Sequence, residues 1–185
     1  MVPVTALWLP ILVSAVFVFI AANVLWMALP FWHRKDYGNT HNDAAFLAAA
    51  KSLKSGMYIF PFVDWAKVTP EQKAEMATQP SGFMLLRNPN KFNFGATLGS
   101  YFLFNLLICA VVGYLAGVVM GPGQPYSHVF RIVATAGMLA YAFGASGISE
   151  SIWYGKPWSA TIKSIIDGII FGLLMGGTFG WLWPK

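Results

Sequence analysis

The sequence predicts an all-α integral membrane protein with four transmembrane helices and a cap between the first and second. The chain has 185 residues, of which 57% are hydrophobic and 10% are charged, too few charges for a water-exposed surface. The charges are also confined, since residues 1–32 and 92–130 contain no Asp, Glu, Lys or Arg. Uncharged apolar stretches of this length are typical of membrane spans.

Four segments are long and apolar enough to cross a bilayer, which takes about 20 residues of helix. They cover residues 7–29, 98–120, 131–148 and 162–183. No basic residues precede the first segment, and its apolar stretch is longer than that of a secretory signal, so we predict a retained span. The whole chain, residues 1–185, is then a single membrane domain with an extramembrane cap over residues 33–94.

The basic residues predict an orientation. Four spans place both termini on one side of the membrane. Ten of the twelve Lys and Arg residues lie in the cap or around the start of the last span, and Arg131 and Lys185 fall on the other side. Because basic residues favour the cytoplasmic side, the sequence predicts a cytoplasmic cap and external termini.

The cap carries start signals for two short helices. Asn42 precedes residues 44–54, and Thr69-Pro70 with Gln72 has the composition of a helix N-terminus. The apolar runs 57–62 and 83–86 have strand-like composition. Two alternatives are open for these runs, pairing with each other or lying against the membrane, and in either case we expect the segment to pack as a small cap on the bundle.

Small residues recur at every fourth position of the spans, a spacing that lets membrane helices approach closely. The residues predicted to pack helices in this way are Gly113, Gly117, Gly168, Gly172, Gly176 and Gly180. The alternatives are packing inside one four-helix bundle and docking of a second copy or a partner subunit on the glycine ridge. A channel lined by these residues is disfavoured because glycine offers little polar surface to an ion.

Asp167 is the acidic residue of the last predicted span, and a carboxylate inside a membrane is costly to keep ionised. Lys163 lies one helical turn earlier and is near enough to pair with it. We therefore predict an intramembrane polar pair between Lys163 and Asp167. A role in moving protons or ions is the alternative.

One cluster has side chains of the kinds that bind metals. It comprises His33, Asp36, His41 and Asp43. Arg34 and Lys35 lie among these residues and repel a cation, and the spacing matches no standard metal template. The sequence therefore favours a bend leaving the membrane over a metal site here.

Two motifs near the C-terminus are specific. Ile-Trp-Tyr-Gly-Lys-Pro-Trp-Ser covers residues 152–159, and Gly-Thr-Phe-Gly-Trp-Leu-Trp-Pro covers residues 177–184. With Trp32-His33 and Phe130-Arg131, these motifs make nearly the whole chain resemble a family of uncharacterised bacterial four-pass inner-membrane proteins. The resemblance implies a multi-pass protein of the bacterial inner membrane, and it supplies no activity or site residue.

Two classes of function fit the sequence. The first is a non-catalytic accessory subunit of a larger or homo-oligomeric membrane assembly, supported by the glycine rows. The second is a small transporter or channel, in which Asp167, Lys163, Asn105 and Tyr101 would face one cavity. A membrane enzyme based on the His33 cluster ranks third.

The remaining expectations concern chemistry and partners. Cys109 lies in the middle of an apolar span, where a thiolate is disfavoured, so no catalytic residue is predicted. No cofactor is predicted either. The expected partners are the lipid bilayer and other membrane subunits or a second copy. Nucleic acid is not expected, because the net charge of +5 forms no long basic run.

Overall fold

The computed structural model describes residues 1–64, 66–87 and 92–185. Four of its helices are long and apolar enough to cross a membrane, namely Val4–Ala28, Phe94–Val119, Tyr126–Tyr154 and Trp158–Leu182. Each contains most of one predicted span, so the prediction of four long apolar helices is confirmed. The third helix extends beyond residues 131–148 at both ends. Its first and last turns contain polar residues, so the apolar run is shorter than the helix.

The first span changes its helical form along its length. It opens with a 3-10 turn, Val4–Leu7, continues as α1, Trp8–Asn23, and ends in a π-helical segment, Val24–Ala28. The second span is one helix, α4, Phe94–Val119, which begins where the side chain of Asn93 accepts the Ala96 N–H at 3.0 Å.

The third span is interrupted near its end. It consists of α5, Tyr126–Met138, then a second π-helical segment, Leu139–Gly144, and after a bend α6, Ile148–Tyr154. Gly147 and Gly155 flank α6 with φ of 74° and 72°, a left-handed conformation that favours glycine. The last span is α7, Trp158–Leu182.

Helices α5 and α7 pack closely because glycines remove side chains from their crossing. A Cβ built on Gly137 would lie 2.9 Å from Cα of Gly172, and one built on Gly176 would lie 2.7 Å from Cβ of Ala134. A Cβ on Gly168 would overlap the backbone of Ala142. The spacing of four thus lets α7 contact the backbone of the third span along three turns.

The remaining predicted packing glycines also lie against their own chain. Gly113 faces Ile11 and Phe179, Gly117 faces the carbonyl of Val2, and Gly180 faces the ring of Tyr126. All six glycines therefore contact neighbours inside the bundle.

Side chains from all four spans form the core, with Leu7, Val18, Val133, Met175 and Phe179 fully buried. The outer surface of the spans is apolar as well. Large exposed side chains cover it, among them Leu103, Leu107, Val111, Tyr114 and Leu173. An apolar exterior of this extent fits a protein that passes through a bilayer several times.

The two termini meet at one end of the bundle. The Val2 N–H donates to the Gly117 carbonyl at 2.8 Å, and the Gly123 N–H donates to the Pro184 carbonyl at 2.8 Å. The N-terminus, the α4–α5 connection and the C-terminus are therefore adjacent, as four passes require. The segment between α1 and α4 and the connection around α6 lie at the other end, which we call the cap end.

The segment between the first two spans contains two helices and a hairpin. Its elements are α2, Asp43–Ala50; β1, Gly56–Phe60; α3, Pro70–Met76; and β2, Gly82–Leu86. The strands pair antiparallel with Gly56 opposite Leu86. The two apolar runs therefore pair with each other, which is the first of the two alternatives. The helix starts follow the sequence signals, since the Asn42 side chain accepts the Ala45 N–H and Thr69 forms a capping box with Gln72.

The described part of this segment has no core of its own. None of its described residues, 34–64 and 66–87, is buried, because the two short helices and the hairpin enclose no core of their own. The hairpin touches the bundle where Phe83 stacks on Tyr154 of α6, with ring centroids 4.8 Å apart.

Candidate functional site

Asp167 is buried inside the bundle, on the third turn of α7, and is 2% exposed. Its two carboxylate oxygens contact the chain that leaves the first span. The Trp32 indole Nε1–H donates to Oδ1 at 2.8 Å, and His33 Nε2 lies 2.7 Å from Oδ2. A carboxylate inside a bundle needs such partners, since its desolvation is otherwise uncompensated.

His33 is fixed between two carboxylates and an aromatic ring. Its Nδ1 lies 3.0 Å from Oδ2 of Asp36, so the imidazole bridges Asp36 and Asp167. Trp26, from the first π-helical segment, stacks on the imidazole with ring centroids 3.9 Å apart and an interplanar angle of 12°. The 3-10 turn Arg34–Asp36 directly after His33 brings the Asp36 carboxylate to its position.

Lys163 completes the cluster by donating to Oδ1 of Asp36 at 2.5 Å. The predicted direct pair with Asp167 is therefore corrected: both residues are described, and they are joined through Asp36 and His33. One turn separates Lys163 from Asp167 on α7, but the Lys163 side chain extends toward the cap end, where Asp36 lies. We call Trp32, His33, Asp36, Lys163 and Asp167 the charge network.

The contacts of His33 suit an imidazolium. An ionised carboxylate only accepts hydrogen bonds, and each ring nitrogen of His33 faces one carboxylate. Both nitrogens donate only in the imidazolium form. With one imidazolium, one ammonium and two carboxylates, the charge network carries no net charge.

Asp36 lies outside the spans, and opposing effects act on its pKa. Desolvation by burial raises the pKa, while the hydrogen bonds from Lys163 and His33 and their positive charges lower it. The lowering effects prevail, so the pKa of Asp36 falls below its ordinary value of 3.8. Asp36 therefore remains an anion that holds both cations in place.

Beside the charge network lies a cavity of about 590 Å³ at the cap end of the bundle. This volume is within the range of ligand sites, about 300–1,000 Å³. Its inner wall is buried and its rim is half-exposed, with Trp26, Met27 and Phe94 on the rim. The inner wall consists of Ala22, Tyr141, Ser146, Asp167, Gly168 and Phe171.

Both π-helical segments contribute to this cavity. Val24–Ala28 supplies Trp26 and Met27, and Leu139–Gly144 supplies Tyr141. A π-helical turn changes the direction of the side chains that follow it, and such turns are frequent at functional sites. Two independent helices therefore depart from α-helical geometry at the same place.

Polar groups on the wall fall into two kinds. The Tyr141 hydroxyl donates to Oδ1 of Asn105 at 2.8 Å, and Nδ2 of Asn105 donates to the carbonyl of Tyr101 at 2.9 Å, so these groups are satisfied. The hydroxyl of Ser146 is buried and has no hydrogen-bond partner among the described residues.

The structure divides the residues that the sequence predicted for this site. Asp167 and Tyr101 line the cavity, while Lys163 and Asn105 stand behind its wall. Of the four metal candidates, His33 and Asp36 join the charge network. His41 and Asp43 belong to a separate exposed turn, in which His41 has φ of 59° and Asp43 accepts a hydrogen bond from Thr40.

The four weak metal candidates do not come together in one place. Among the described residues, no group of three or more His, Cys, Asp or Glu side chains has the arrangement of a metal site. His33 and Asp36 have the spacing of a local turn, and their third partner, Asp167, comes from the last span, 134 positions after His33.

Sequence reasoning missed Trp26, Trp32, Tyr141 and Ser146 as site residues. Tryptophans near the ends of spans are common at the membrane interface, so their positions give no sign of the contacts with His33 and Asp167. The signal for Ser146 was a polar residue between Gly144 and Gly147, where the third span breaks.

Comparison with known proteins gives no further guide to the site. The chain matches no protein-family model, no curated protein and no solved structure. Its function is therefore inferred from the geometry of the charge network and the cavity.

Proposed function

We propose that this protein is a small membrane carrier that binds an organic molecule in the cap-end cavity. The observation that carries the proposal is that Asp167, an acidic residue inside a span, lines a cavity of ligand size. Intramembrane carboxylates are costly, and they commonly mark substrate or proton pathways in transport proteins.

The position of the cavity supports a carrier. Four spans contribute to its lining, and the half-exposed rim gives a ligand access from one end of the bundle. Transport sites lie between helices whose regular form is interrupted near the ligand. The first and third spans are interrupted here by their π-helical segments, and the third bends again at Gly147.

Orientation and location belong to the same proposal. With ten of the twelve basic residues at the cap end, the cavity opens toward the cytoplasm and both termini lie outside. The resemblance of the two C-terminal motifs supports the bacterial inner membrane as the proposed location.

A bulky side chain introduced at the rim of the cavity tests whether the cavity binds a ligand. Thr97 and Ser100 are exposed on the same helix, and each hydroxyl donates to a carbonyl four residues earlier, but only Thr97 belongs to the cavity lining. We expect at least one compound of a small-molecule panel to raise the melting temperature of the wild type and of Ser100→Trp, but not that of Thr97→Trp. At about 100 times the Kd, the expected increase is about 5–10 °C.

The matched pair makes the outcome decisive. If no compound separates Thr97→Trp from Ser100→Trp, the cavity is not a ligand site. The comparison is valid only where both variants melt cooperatively without ligand, which the same thermal scans report.

An accessory subunit is the second candidate, and a groove favours it. The groove measures about 640 Å³, and Gly177 lies on it between the larger side chains of Leu173 and Trp181. The nearest contact of a Cβ built on Gly177 is the Tyr126 hydroxyl at 3.7 Å. Packing inside the bundle therefore does not require glycine at this position. A stoichiometric partner in native mass spectra that is lost in Gly177→Trp would favour the subunit over the carrier.

A further inference from the structure

We propose that the ligand of the cavity is an organic cation, an ammonium with small alkyl groups, and that it binds in exchange for a proton of the charge network. This inference rests on the proposed function, because it specifies which ligand the cavity takes. Three observations support it: the charge of the wall, the kind of surface that surrounds it, and the charge balance behind it.

The wall selects against anions. Asp167 is the charged residue among the described lining residues, which include no Lys, Arg or His. Each carboxylate oxygen has two acceptor positions, and Trp32 and His33 occupy one on each oxygen. Asp167 therefore retains acceptor capacity and negative charge next to the cavity, and an anionic ligand would be repelled.

Six of the lining residues are aromatic. The rings in the lining are those of Trp26, Phe94, Tyr101, Phe104, Tyr141 and Phe171. The faces of such rings attract cations, and cages of aromatic side chains are a common way of binding quaternary ammonium groups.

The charge balance couples the ligand to a proton. While His33 is an imidazolium, the charge network is neutral and offers a cation no net attraction. When the imidazolium releases its proton to water, one negative charge is left over among Asp36, Asp167 and Lys163. A monovalent cation against Asp167 compensates that charge, so proton and ligand compete for the same site.

Few titratable groups other than His33 lie close enough to supply the exchanged proton. On the chain after α1 it faces Asp36, on α7 it faces Asp167, and Lys163 reaches it through Asp36. Tyr101 of α4 and Tyr141 of the third span share the cavity with Asp167. Trp26 and Trp32, which contact the imidazole, do not titrate.

A matched pair of probes tests the ligand class on the unaltered full-length protein. Choline carries a quaternary ammonium, and 3,3-dimethylbutan-1-ol has the same shape with a neutral carbon in place of nitrogen. We expect choline to bind at least about tenfold more tightly than the alcohol by titration calorimetry in detergent. Asp167→Asn should abolish this preference, and Thr97→Trp should block both probes.

The exchange is tested by counting protons in the same titrations. Repeating them in two buffers of different ionisation enthalpy gives the number of protons released per bound choline. We expect more protons to be released, and choline to bind more weakly, at about pH 5 than at about pH 8, because a proton and the cation compensate the same negative charge. This result needs no variant, so it stands even if Asp167→Asn fails to fold.

The outcomes separate this inference from the proposed function. Equal binding of both probes, blocked by Thr97→Trp, would overturn the cation and leave the carrier intact. Binding of choline without proton release at either pH would overturn the exchange. Binding of neither probe would overturn the ligand class, and the carrier would then depend on whether the thermal panel finds another compound that Thr97→Trp excludes.

Discussion

His33→Gln is expected to lower the free energy of unfolding by about 3–5 kcal/mol, the usual cost of removing one partner from a buried charge cluster. The amide of glutamine is uncharged, so Asp36 and Asp167 would lose the cation that lies between them. Trp26 would also lose the flat ring on which it stacks. Reversible thermal or denaturant unfolding in detergent measures the loss.

Double-mutant cycles show whether His33 joins the two carboxylates. The cycle of His33→Gln with Asp167→Asn should give a large coupling energy, because these side chains are in contact at 2.7 Å. The cycle of Lys163→Gln with Asp167→Asn should give a smaller one, since His33 and Asp36 intervene. A Lys163–Asp167 coupling equal to or larger than the His33–Asp167 coupling would contradict the charge network as described.

Gly168→Ala is expected to produce the second large effect. The added methyl group would overlap the backbone of Ala142 and Tyr141, which cannot move aside as a flexible side chain can. Overpacking costs about 1–3 kcal/mol or more, and here it would also separate α7 from the third span beside Asp167. Thermal unfolding should show a melting temperature several degrees lower than that of the wild type.

Gly177→Ala is the matched control on the same helix. Its Cβ would meet the Tyr126 hydroxyl at 3.7 Å, an ordinary contact, and alanine favours the helix more than glycine does. We expect this variant to be as stable as the wild type or slightly more so. Equal melting temperatures for the two alanine variants would show that α7 and the third span are not in close contact at Gly168.

The four spans were predictable because length and hydropathy act locally, although the third helix extends beyond its predicted apolar run at both ends. The glycine rows are also a local signal, but the sequence does not reveal which neighbour each glycine meets. Gly168 faces Ala142 and Gly117 faces Val2, contacts that depend on how the helices are arranged. The sequence therefore predicted small surfaces without predicting their partners.

The charge network was only partly predictable for the same reason. The prediction of a pair between Lys163 and Asp167 used spacing along one helix, which takes no account of Asp36, 127 positions before Lys163. Spacing also grouped His33 and Asp36 with His41 and Asp43, although only the first two belong to the charge network. The π-helical segments that shape the cavity have no sequence signal we recognise, because their composition is that of an ordinary apolar helix.

Exchange in proteoliposomes tests the carrier and its charge network together. With an acidic interior and an alkaline exterior, we expect the purified wild type and Ser100→Trp to take up labelled choline, and we expect Thr97→Trp to take up none. Collapsing the pH gradient should slow the uptake, since each choline enters against a proton. Uptake by Thr97→Trp at the wild-type rate, or no uptake beyond that of empty liposomes in the wild type, would contradict transport of this cation through the cavity beside Asp167.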